Sequence, residues 1–75
     1  MIKSKRVKGV LRYLELSMGF WALEGEDGSK YELFELPKSN EVDGLVCEIE
    51  LIEMDGDTIN MWGRPAKVLQ VIVLA

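Results

Sequence analysis

The sequence predicts a single all-β domain over residues 1–75, a small five- or six-stranded antiparallel barrel that is OB-like. Two Asp-Gly pairs, Asp27-Gly28 and Asp55-Gly56, follow strand-like stretches, and this dipeptide is a strong signal for a tight hairpin turn. Between the turns, apolar and polar residues alternate with the period of two that a half-buried strand shows. The one helix candidate, residues 39–42, is at most one turn long. An SH3-like barrel is the alternative.

The turn signals divide the chain into six expected strands. The fourth has the clearest pattern, because Leu45, Cys47, Ile49 and Leu51 fall on one face while Glu residues occupy the other. A long first strand, a meander of three strands, a short break and a final hairpin is the strand order of an OB fold. The expected ranges, in chain order, are 6–16, 20–25, 30–36, 45–54, 58–62 and 66–74.

Charge is unevenly distributed along the chain, whose net charge is −4. All 13 acidic residues follow residue 14, whereas the charged residues among residues 1–14 are all basic. An acidic body repels phosphate, so nucleic acid is not the expected partner. We interpret the basic segment as a solvated strand whose charges offset the acidic body. Its basic residues are Lys3, Lys5, Arg6, Lys8 and Arg12.

The residues that carry most enzyme chemistry are scarce here. The chain has no histidine and one cysteine, Cys47, so it has neither a Ser-His-Asp arrangement nor an internal disulfide. Cys47 lies between apolar residues of its strand face and is expected in the core. The expectation is therefore a protein that is not an enzyme and has no cofactor or metal. Because no secretion signal is evident and the longest apolar run is residues 71–75, we expect a cytoplasmic protein without a membrane span.

Six short motifs are spread over residues 7–73. They are Gly9-x-x-x-Tyr13, Gly19-Phe20-Trp21, Asp27-Gly28-x-x-Tyr31, Leu36-Pro37, Asp43-Gly44-Leu45-Val46 and Met61-Trp62-Gly63. Together they resemble a group of small prokaryotic proteins with OB-like barrels and no established activity. The resemblance implies the fold and a cytoplasmic or lipoprotein-borne setting, and it carries no catalytic residues. Cys47, in the middle of a strand, is not placed as the lipobox cysteine that anchored relatives would need.

Aromatic residues supply the candidate recognition surface. OB folds bind single strands through aromatic side chains of the second and third strands, and successive residues of a strand point to opposite faces. About half of the aromatic side chains should therefore lie in the core and half outside. Trp62 precedes a turn with Arg64, so the indole and the guanidinium are a candidate pair. The candidate ligand or partner surface is Trp21, Tyr31, Trp62 and Arg64.

The last expected strand is apolar on both faces, so both need cover. The barrel interior covers one face, and either a second copy or the N-terminal segment with Ile2 covers the other. Leu69, Val71 and Val73 are the candidate dimer strand, with Val71 and Val73 expected on the outward face. The leading hypothesis is a binding module for protein–protein contact or self-association. The alternative is single-stranded nucleic-acid binding through the aromatic residues of strands two and three and the basic first strand.

Overall fold

The computed structural model describes residues 3–16, 18–55 and 62–74, which form five strands and one short 3-10 helix. These elements agree with the expected all-β chain, and the first four strands begin within one residue of their expected starts. The expected strand 58–62 lies outside the described residues except for Trp62, so it stays a prediction. The elements are β1 Lys5–Leu14, β2 Phe20–Gly25, β3 Lys30–Phe34, the 3-10 helix Lys38–Asn40, β4 Val46–Glu53 and β5 Arg64–Val73.

The five strands close into an OB-like barrel with the order β1-β2-β3-β5-β4, in which β4 returns to pair with β1. The expectation of a wholly antiparallel sheet is wrong at one junction, because β5 runs parallel to β3. The reason is topological. A closed ring of five strands cannot reverse direction at every junction, since an odd number of reversals does not return to the starting direction. The last strand therefore enters parallel to β3 and antiparallel to β4.

The core is formed by the inward residues of all five strands. Leu11, Leu23, Ile49 and Leu51 are fully buried, and the alternation expected for β4 is confirmed. Cys47 is also fully buried within this cluster, as its place on the apolar face predicted. Burial raises the pKa of its thiol, because the charged thiolate is disfavoured away from water.

We expect the Cys47 thiol to react with a thiol reagent at least about a hundredfold more slowly in the native state than in denaturant, because labelling requires opening of the core. Stopped-flow absorbance with a chromogenic disulfide measures both rates. The control is a chain with Cys47→Ala and Lys38→Cys, whose thiol replaces an exposed side chain and should react rapidly in both states. Equal native rates for the two chains would mean that Cys47 is accessible.

Gly9 is one of the residues at which β1 contacts both of its neighbours. It pairs with Gly25 of β2 and with Cys47 of β4, so the barrel closes around it. A Cβ at this position would overlap the carbonyl oxygen of Glu24 and lie 2.9 Å from the Gly25 Cα. Both are backbone atoms, so no side-chain rotation relieves the overlap. A glycine is required here for close approach of the two strands.

A β-bulge interrupts β5 and changes which of its side chains point inward. Glu50 pairs with Gln70 and Leu51 pairs with Val68, so Leu69 has no partner on β4. After the bulge, Val71 lies opposite the fully buried Ile49 and is itself half-buried against the core. The expectation that Val71 lies on the outward face is therefore wrong, because the extra residue inverts the alternation.

Within the described residues, the structure contains no helix that is long and apolar enough to span a membrane.

Candidate functional site

The outer side of β2 and β3 is the surface through which OB folds commonly bind ligands. In this chain part of that surface is closed. Ala22 and Glu32 pair with each other on the side away from the core, yet both are at most 1% exposed. The segment Trp62-Gly63, which directly precedes β5, lies against Glu32. The chain therefore covers part of this surface with its own residues.

Glu32 holds this segment in place. Its Oε2 atom accepts hydrogen bonds from the backbone N–H groups of Trp62 at 3.0 Å and Gly63 at 3.1 Å. The Trp62 ring contacts the Phe20 ring edge to face at 6.0 Å, and the Lys30 ammonium lies 5.3 Å from the indole centre. A buried carboxylate is tolerated where such hydrogen bonds replace its hydration. The burial of Glu32 was not predictable from the sequence, because an acidic residue in a half-polar strand normally faces water.

The four residues of the expected ligand surface do not form one surface. Tyr31 is 3% exposed and belongs to the core, so its assignment to a surface is wrong; it lies opposite the fully buried Leu23. Trp21 is half-buried and packs edge to face on Tyr13, with the ring centres 5.2 Å apart.

The suggested pairing of an indole with a guanidinium is not observed. Trp62 has Lys30 beside its ring, whereas Arg64 donates to Glu53 at 3.1 Å. Arg64 is exposed, and Trp62 is half-buried against the outer side of β2 and β3. Each residue therefore has a separate environment, and the pair does not define a recognition site.

One end of the barrel has a cavity of about 260 Å³ whose lining includes Lys5, Tyr31 and Arg64. The Lys5 ammonium lies 2.6 Å from a carboxylate oxygen of Glu53 and 5.3 Å from the Tyr31 ring centre. The hydrogen bond from Lys5, and more weakly the one from Arg64, lowers the pKa of Glu53, and the same contact raises the pKa of Lys5. Glu53 pairs with two of the three cations that line the cavity, Lys5 and Arg64. Asp27 lies in the lining beside the third, Lys30. The cavity therefore offers an anion little net charge.

No group of three potential metal-ligating side chains is found in residues 3–16, 18–55 and 62–74.

The outer side of β1, β4 and β5 has an arrangement of apolar side chains that was not predicted from the sequence. Val10 lies opposite Val46, and the N–H of Leu74, the residue directly after β5, donates to the Val46 carbonyl oxygen at 3.0 Å. The three apolar side chains therefore lie in one row. Ile72 lies in the next row, opposite Glu48. The exposed fractions are 41% for Val46, 37% for Ile72 and 49% for Leu74. We call Val10, Val46, Ile72 and Leu74 the outer patch.

A charge ladder continues this surface towards the N-terminal end of β1. Lys8 lies directly opposite Glu48, and Arg6 lies opposite Glu50, so a basic strand runs beside an acidic one. The ion pairs found among the described residues involve none of these four side chains. Glu50 accepts a hydrogen bond from the Ser4 hydroxyl at 2.9 Å. The position of these basic residues beside acidic ones supports the interpretation that the charges of the first strand offset those of the acidic body.

No protein-family model matches this sequence, no curated protein is significantly similar to it, and no solved structure matches it at a significant level. The fold and the arrangement of side chains are therefore the basis for a function.

Proposed function

We propose that this domain is a protein-interaction module and that the outer patch is its docking surface. The supporting observation is the row of Val10, Val46 and Leu74 beside Ile72 on the outer side of a closed barrel. The outer side of a barrel strand is ordinarily polar, because the inner side alone supplies the core. A contiguous apolar surface with charged residues at its edge is typical of a contact site for another protein.

The outer patch replaces the strand face expected from the sequence. Of the candidate dimer residues, Val71 is half-buried against the core, and Leu69 lies in the bulge. Val73 lies opposite the buried Cys47, so it belongs to the inward side although half of it is exposed at the barrel end. Ile72 of β5 and Leu74, which directly follows β5, still contribute apolar side chains to the outer patch.

The alternative, single-stranded nucleic-acid binding, has less support. It requires exposed aromatic residues interleaved with free cations. Tyr31 is in the core, and the Glu32 side of β2 and β3 is covered by Trp62-Gly63. Two of the basic residues of β1 are also engaged, since Lys5 pairs with Glu53 and Arg12 with Glu24.

Photo-crosslinking in living cells tests the proposal. A photo-reactive amino acid replaces Val46, and a control chain carries it at Lys38, an exposed residue of the 3-10 helix that is not part of the patch. We expect a discrete protein adduct from position 46 and none from position 38, because only the patch is in contact. The adduct should disappear when Ile72→Lys is added, since a charge within the patch opposes desolvation.

Adducts of equal yield at both positions, or none at position 46, would contradict a docking role for the outer patch. Circular dichroism of the Ile72→Lys chain provides the folding control. Ile72 is exposed and outside the core cluster, so the variant should retain the spectrum of the parent chain.

A further inference from the structure

We infer that the occupant of the outer patch is a second copy of this chain, related by a two-fold axis parallel to β1 and β4 and passing between them. This inference rests on the proposed function and adds to it the identity of the partner. It follows from how the apolar residues and the charge ladder are arranged in register, and a two-fold contact requires a surface that complements itself.

The register of β1 and β4 makes the surface self-complementary. A two-fold axis along the strands preserves each row and exchanges the two strands, so β1 of one copy faces β4 of the other. Lys8 of one copy then faces Glu48 of the other, and Val10 faces Val46. Arg6 and Glu50 are related in the same way. Each of these contacts between β1 and β4 occurs twice, and each joins either opposite charges or two apolar side chains. Ile72 and Leu74 lie on the far side of β4 and are placed over β2 of the other copy.

Two other two-fold arrangements of the same surface are unfavourable. An axis perpendicular to the strands through the row of Lys8 and Glu48 sets each of these residues against its own copy. An axis along β4 itself also sets Glu48 against Glu48. Like charges in direct opposition repel, so the charge pattern disfavours both of these axes relative to the axis between the two strands.

The size of the surface also requires the ladder to take part. A standard protein interface buries about 800 Å² on each partner, whereas the whole chain exposes 5053 Å². Four partly exposed aliphatic side chains cannot supply that area alone. The interface must therefore extend along β1 and β4 over the charged rows, where Arg6, Lys8 and Glu48 have no ion-pair partner among the described residues.

Two oppositely charged variants provide the test. We expect Lys8→Glu alone and Glu48→Lys alone to weaken self-association at least about tenfold, because each homodimer then contains two like-charge contacts. An equimolar mixture of the two variants should associate within about threefold of the parent chain, since both contacts of the mixed dimer again join opposite charges. Sedimentation equilibrium of the single proteins and of the mixture measures the three dissociation constants.

Mixing the two variants distinguishes the contact between two chains from the pairing of β1 with β4 within one chain. Each variant also places like charges side by side on its own β1 and β4, and a second chain cannot repair that defect. Recovery on mixing therefore arises only between chains. Lys38→Glu and Glu41→Lys, which make the same charge changes away from the ladder, are the controls and should each associate as the parent does. Unfolding midpoints confirm that all the chains are folded.

The inference is overturned if the parent chain remains at 8.5 kDa at high micromolar concentration, or if the mixture associates no better than its components. The crosslinking result distinguishes the two proposals. An adduct with the mass of two chains supports both. An adduct of another mass retains the proposed function and eliminates the second copy, and the absence of any adduct at position 46 eliminates both.

Discussion

Gly9→Ala is expected to destabilise the barrel by about 3 kcal/mol, at the upper end of the usual cost of overpacking. The added Cβ meets the backbone of Glu24 and Gly25, so the change separates β1 from β2 at a residue where β1 also pairs with β4. A domain of this size loses roughly 4–8 °C of melting temperature for each kcal/mol. Urea unfolding followed by tryptophan fluorescence gives the free energy of unfolding directly.

Gly28→Ala is the matched control for this prediction. Gly28 has a φ of 90° in the turn between β2 and β3, and a Cβ there meets no atom within 4 Å. Its substitution costs only backbone strain, about 1 kcal/mol. If Gly9→Ala proved no more destabilising than Gly28→Ala, the close approach of β1 and β2 at Gly9 would not be a constraint on the fold.

Glu32→Ala is expected to lower the free energy of unfolding by about 3 kcal/mol, because hydrogen bonds to a charged group contribute about 1.5–3 kcal/mol. The change leaves the N–H groups of Trp62 and Gly63 without their acceptor. It also removes the buried side chain through which β3 contacts the Trp62-Gly63 segment. Glu32→Gln retains an oxygen acceptor without the charge, so about half of that loss is expected. Chemical denaturation measures both.

Hydrogen exchange identifies where the Glu32 effect occurs. The amides of Trp62 and Gly63 should lose protection in Glu32→Ala, whereas those of β1 and β4 should keep theirs relative to global unfolding. Glu24→Ala is the control, since Glu24 is on the neighbouring strand and makes an exposed pair with Arg12 worth at most about 1 kcal/mol. Unchanged protection at Trp62 and Gly63 would show that Glu32 does not anchor the segment.

The strands and the core were predictable because the alternation along the chain is strong. Cys47, Ile49 and Leu51 lie in the core as their spacing indicated, and β2 has the expected ends. The parallel pair of strands was also predictable, since a closed ring of five strands requires one parallel pair. It was missed because the segment 58–62 was counted as a sixth strand, and six strands can alternate around a ring.

The surface was harder to predict, because it depends on register between strands distant in sequence. A single extra residue at Leu69 moves Val71 inward, and no local signal distinguishes this bulge from a regular apolar strand. The row of Val10, Val46 and Leu74 exists only after β4 pairs with both β1 and β5. Similarly, the burial of Glu32 depends on Trp62-Gly63 lying over it, which no periodicity in β3 indicates.

The place of β5 between β3 and β4 limits the order in which the barrel can close during synthesis. β1, β2 and β3 pair as neighbours in sequence, so a nascent chain can form this meander early. β4 reaches back to β1, where Lys5 pairs with Leu51, and the gap beside β3 stays open until β5 arrives. Until then β3 and β4 each expose an unpaired edge to the ribosome surface, to chaperones and to other nascent chains. The interval before β5 emerges is therefore when this protein is most prone to misassembly.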